Sequence, residues 1–98
     1  MFRVDQSRLF QIAFNRICQR DECVRMWKQL ARELLLKNQD IERIERDYPS
    51  KHERCLRSLE QWLDNDNRAE ITVLARVIRA LGFKALARML SKSNSEFF

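Results

Sequence analysis

One glycine and one proline in a chain of 98 residues constrain the fold more than any other feature. Hairpins, sandwiches and barrels turn through residues that tolerate positive φ, which glycine supplies at least cost. With only Gly82 and Pro49 as punctuation, an all-β fold has too few corners. Glycine-rich phosphate loops and dinucleotide turns are excluded on the same ground. What remains is an all-α domain, and at this length a single one. Hydrophobic residues make up 45% of the chain and charged residues 34%, enough for one core beneath a strongly ionic surface. No apolar run approaches the ~20 residues that a bilayer crossing needs, and there is no secretory segment. A single histidine, His52, leaves little for acid–base catalysis, so the sequence predicts a protein that is not an enzyme.

Helical periodicity is legible throughout. Leu9, Phe10, Ala13, Phe14, Ile17 and Cys18 follow the i, i+3, i+4, i+7 rule and predict a first helix over roughly residues 6–19. Trp27, Leu30, Ala31, Leu34 and Leu35 form a second stripe, and Ile41, Ile44 and Tyr48 a short third one that Asn38 can cap. Pro49 ends that third helix, because it pushes Tyr48 away from helical angles. Ser50-x-x-Glu53 and Asn67-x-x-Glu70 are capping boxes, each opening a further helix. The fourth helix carries Leu56, Leu59 and Leu63 with Trp62 beside them. The fifth carries Ile71, Leu74, Ala75, Val77, Ile78 and Leu81, and its apolar residues run around so much of its circumference that it belongs at the centre of the bundle. Gly82 suits the left-handed position after it. A short sixth helix turns Phe83, Leu86, Ala87 and Leu90 inward. Residues 1–92 thus make one domain, an antiparallel bundle of six helices. Residues 93–98, ending in Phe97 and Phe98, read as a disordered tail.

Nineteen Lys and Arg against fourteen Asp and Glu give a net charge of +5. The excess sits in the last third, where Arg68, Arg76, Arg79, Lys84, Arg88 and Lys92 face only Glu70 and Glu96. Cys18, Cys23 and Cys55 are an odd number and read as reduced thiols of a cytoplasmic chain. A zinc site from these with His52 is disfavoured, because Cys18 and Cys55 fall on or beside core stripes. No cofactor is implied.

Trp27-x-x-Leu30-Ala31-x-x-Leu34, Ile41-x-x-Ile44, Asp47-Tyr48-Pro49 and Leu59-x-x-Trp62, in that order, resemble the death-domain family over about residues 8–92. Within it, Phe14-Asn15-Arg16-Ile17-Cys18 and Glu53-Arg54-x-x-Arg57-Ser58-Leu59 are most similar to the Fas-associated adaptor branch. Receptor-interacting kinases and insect-type immune adaptors are close alternatives. Leu35-Leu36-Lys37 departs from the pattern as a bulkier exit from the second helix. The resemblance implies a six-helix Greek-key bundle that binds other death domains homotypically, in apoptosis or innate immunity, and that can assemble into homo-oligomers.

Charge placement adds a candidate surface. Arg25, Lys28 and Arg32 fall at i, i+3 and i+7 on the second helix, while the third carries Asp40, Glu42, Glu45 and Asp47. Opposite-sign strips on neighbouring helices suit steering and register at an interface. The resemblance implies that this helix 2–3 surface meets partners, so Arg25, Lys28, Arg32, Asp40, Glu42 and Glu45 are candidate partner-binding residues. Arg54 and Arg57 on the fourth helix are candidates for a further patch, and Arg76, Arg79, Lys84 and Arg88 for a third. The rival reading is a small basic helical nucleic-acid-binding domain, suggested by a sequence pI near 9.6. The apolar fifth helix disfavours it.

Overall fold

The computed structural model describes residues 3–65 and 69–95, with side chains over 8–65 and 69–92. Seven helices follow one another: α1 (Arg3–Cys18), α2 (Asp21–Arg25), α3 (Trp27–Glu33), α4 (Asn38–Asp47), α5 (Lys51–Asn65), α6 (Ile71–Ala80) and α7 (Lys84–Ser95). No strand occurs among the described residues. The seventh helix arises because the expected second helix is two. Met26, at φ −95° and ψ 23°, lies between α2 and α3, and no glycine or proline marks the break.

Local chemistry explains most of the boundaries. Ser50 Oγ accepts the backbone N–H of Glu53 at 3.1 Å, the hydroxyl half of the expected box. The carboxylate of Glu53 faces Arg57 at 3.9 Å. Tyr48, at φ −123° and ψ 117°, is extended before Pro49, as a residue preceding proline must be. Two expected caps differ. Asn38 is the first residue of α4, and the cap position belongs to Lys37, whose side chain makes no capping bond. Glu70, expected three residues inside the fifth helix, is itself the extended cap of α6, so the helix starts later than the Asn67 box implies. Thr72 Oγ1 donates to the Glu70 carboxylate at 3.2 Å, and Asn67 lies outside the described residues.

Two helices end in the same reversal. After α6 the N–H of Gly82 bonds Arg79 O at 2.9 Å and that of Phe83 bonds Ile78 O at 3.1 Å. After α3 the N–H of Leu35 bonds Arg32 O at 2.9 Å and that of Leu36 bonds Ala31 O at 3.0 Å. Both are Schellman motifs, whose pivot residue is left-handed. Gly82 takes that pivot at φ 101° and Leu35 at φ 65°. Leu35 was expected in the apolar stripe; it is instead 86% exposed, while Leu36 is 7% exposed. The helical period stops at Leu34, and the reversal folds the next side chain, Leu36, back against the core.

The core runs from Phe10 to Leu90. Phe10, Phe14 and Trp62 form an aromatic group, with centroids 6.0 Å apart for Phe10–Phe14 and Phe10–Trp62 and 6.5 Å for Phe14–Trp62. Leu30, Leu59, Leu74, Ile78 and Leu86 are almost completely enclosed. The central position belongs to α5, which packs against α1, α2, α3 and α4. The expectation that the Ile71–Leu81 helix is central is corrected: α6 packs on α7, α1 and α3, and Thr72, Arg76, Arg79 and Ala80 are exposed. Its apolar residues outnumber its polar ones, but the polar ones share a face, and that face stays in water. Helix α7 continues to Ser95, past the expected start of the tail at residue 93. Phe97 and Phe98 lie outside the described residues.

Candidate partner-binding surface

Helices α3, α4 and α5 converge around Trp27, which is 3% exposed. Lys28 Nζ lies 5.9 Å from its ring centroid, and so does the Arg54 guanidinium carbon. Lys28 then reaches across to α4, where its Nζ sits 2.8 Å from Glu45 Oε2. That hydrogen bond holds the Glu45 carboxyl below its ordinary range. One pair, Lys28 and Glu45, thus joins the basic and acidic strips, with both side chains still partly exposed.

The other candidates separate in the same way. Asp40 pairs with Arg43 at 3.4 Å, and Arg43 Nη2 also donates to Gln61 Oε1 on α5 at 2.8 Å. Arg46 meets Asp47 at 3.5 Å. Glu42 is exposed. The break at Met26 puts Arg25 on α2, so it no longer shares a helical strip with Lys28 and Arg32 on α3. Arg25 and Arg32 are both exposed, and neither pairs with a carboxylate among the described residues.

Arg54 and Arg57 are half-buried and engage neighbouring groups of the fold. Arg54 Nε donates to the carbonyl oxygen of Tyr48. The Arg57 guanidinium lies 4.8 Å from the Tyr48 ring centroid and bonds Glu60 Oε1 at 3.0 Å. These two side chains clamp the Tyr48-Pro49 exit of α4 onto α5, which fixes where α4 sits. Beneath them, Ser58 is fully buried and donates to Arg54 O at 2.8 Å.

One residue that belongs to this surface was missed by sequence reasoning. Leu35, just past Arg32 at the end of α3, is 86% exposed, against 40% for Met89 and 38% for Ile12, the other large apolar side chains that face water among the described residues. The signal was present in the bulky Leu35-Leu36-Lys37 exit, but helical spacing assigned Leu35 to the core.

The cysteines do not gather with His52. Cys18, Cys23 and Cys55 are buried free thiols, whereas His52 is exposed. Cys55 is held far above its ordinary range by a hydrogen bond with Cys18 and by burial, and burial pushes Cys23 up to about 11. Among the described residues no three His, Cys, Asp or Glu side chains are grouped to hold a metal. Nor is any helix there long and apolar enough to cross a membrane.

The family model for the Death domain matches residues 11–93, which takes in the seven helices except the first part of α1 and the end of α7. No curated protein matches the chain.

Proposed function

This chain belongs to the death-domain family, and from that premise we propose that it is a signalling adaptor domain, closest to the Fas-associated adaptor type. Death domains are non-enzymatic modules that act by binding other proteins. The proposed partners are death domains of receptors, adaptors or kinases in the cytoplasm, gathered in apoptotic or innate immune signalling, with copies of this chain able to join the assembly. Heterologous contacts between unlike faces need not close, so they can extend.

The observation that carries the reading is the juxtaposition of Leu35 and Arg32 at the end of α3. An apolar side chain held out in water by a strained backbone gains most when a partner covers it. The adjacent Arg32, with Arg25 and Glu42, supplies the charge that steers approach and fixes register. Lys28 with Glu45, and Arg54 with Arg57, serve the same surface by holding α3, α4 and α5 together, while Asp40 pairs with Arg43 within α4.

The test is capture from cytosol with the chain immobilised, beside Arg32→Glu and Leu35→Gly variants checked for native helicity. Death-domain proteins retained by the parent and lost by both variants support the assignment. Equal capture by all three would sink it. Nuclease-sensitive ribonucleoproteins held equally by all three would favour the nucleic-acid rival instead.

A further inference from the structure

We propose that the groove between α6 and α7 binds a small, multiply phosphorylated anion. Arg76 and Arg79 from α6 and Lys84 and Arg88 from α7 line one depression of about 390 Å³, a volume within the range of small-molecule sites. All four side chains are exposed. None pairs with a carboxylate among the described residues, whereas Lys28, Arg43, Arg46 and Arg57 do. No acidic residue lines the groove. Four like charges around one concavity repel each other, and an anion bound there relieves that repulsion.

The groove's shape follows from its floor. Ala75 and Ala87 are buried between the helices, and their small side chains leave the space above them open. An apolar floor under charged walls focuses the field into the depression. Arginine forks match phosphate oxygens two at a time, and lysine adds a mobile point charge. Thr72 lines one end of the groove, its hydroxyl donating to the Glu70 carboxylate at 3.2 Å.

The same features disfavour longer ligands. No aromatic side chain lines the groove, so bases would have nothing to stack upon. Helix α6 has 10 residues, about 15 Å of length, too short to track an extended backbone. A free polyphosphate and a phosphorylated lipid headgroup offer the same chemistry, so the experiment must separate them.

Inorganic tripolyphosphate is titrated into the full chain by calorimetry, at salt between about 50 and 200 mM. We expect saturable binding that weakens as salt rises. Removing Arg79 and Arg88 together as serines lowers affinity at least about tenfold. The double variant Arg20→Ser, Lys37→Ser loses equal charge at two exposed positions elsewhere and stays within about twofold of the parent. Circular dichroism confirms that both are folded, and Lys84→Ala alone gives an intermediate loss. A sedimentation arm uses phosphatidylcholine vesicles with and without phosphatidylinositol bisphosphate. Co-sedimentation that requires the phosphoinositide, and that tripolyphosphate competes away, assigns a lipid headgroup. Tripolyphosphate binding without co-sedimentation assigns a free anion. Absence of saturable binding in both arms, equal loss in the control variant, or tighter binding of poly-glutamate than of tripolyphosphate overturns the proposal.

Discussion

Leu35 and Gly82 occupy equivalent positions with opposite consequences. Both are left-handed pivots, at φ 65° and φ 101°, but an L side chain pays for that conformation and glycine does not. Leu35 packs little in return, being 86% exposed. Leu35→Gly should therefore raise stability by about 1 kcal/mol, or roughly 4–8 °C in Tm for a domain of this size. The same change should weaken partner capture. Gly82→Ala should lower stability by about 1 kcal/mol, although a Cβ there meets no atom within 4 Å. The cost is thus conformational. Thermal denaturation of the two variants checks both signs, and parallel shifts would refute this account. Capture gained by Leu35→Gly together with stability would remove Leu35 from the docking surface.

Between elements, side chains distant in sequence do the joining. Lys28 and Glu45 link α3 to α4, and Arg54 and Arg57 hold the Tyr48 exit against α5. The depressed Glu45 pKa fixes the pH dependence of the first link. A folded-state value below the unfolded one stabilises the fold above the unfolded carboxylate range and loses that contribution as pH falls through the folded value. A carboxyl-detected NMR titration should place the Glu45 midpoint below the ordinary value of about 4.3. In Lys28→Met the midpoint should return toward it, and a midpoint unmoved by that substitution would assign the depression elsewhere. Neither the bridge nor the clamp was legible beforehand. Helical spacing showed which charges share a face, but long side chains choose partners from whichever helix lies across from them. The break at Met26 was equally silent, because a single bent residue between two helices needs no special side chain.

At the scale of the whole molecule, a Cα radius of gyration of 12.8 Å matches the ~12.6 Å of a compact domain with this many residues. The described chain packs as one body, with α1–α4 against α5 and the α6–α7 pair against α1 and α3. Leu59 on α5 is 0% exposed, and Leu59→Ala should cost about 2–5 kcal/mol. That is a large share of the ~5–15 kcal/mol typical of a domain. Chemical denaturation should show a lower midpoint with an unchanged slope. A loss under about 1 kcal/mol would mean that the core collapses into the space and that α5 is less central than its packing implies.

The sequence by itself determined the helical class, the stripes of Phe10–Cys18, Trp27–Leu34 and Leu86–Leu90, and the stops at Pro49 and Gly82. These follow from rules that act within about one helical turn: side-chain period, capping and backbone sterics. Only the tertiary structure decided that Leu35 faces water while Leu36 is buried, and that Lys28 and Glu45 are spent on each other. It also decided that the cations of α6 and α7 surround one groove. Those outcomes depend on how whole helices cross and reverse, and at separations of many residues no local preference specifies which side chains will meet.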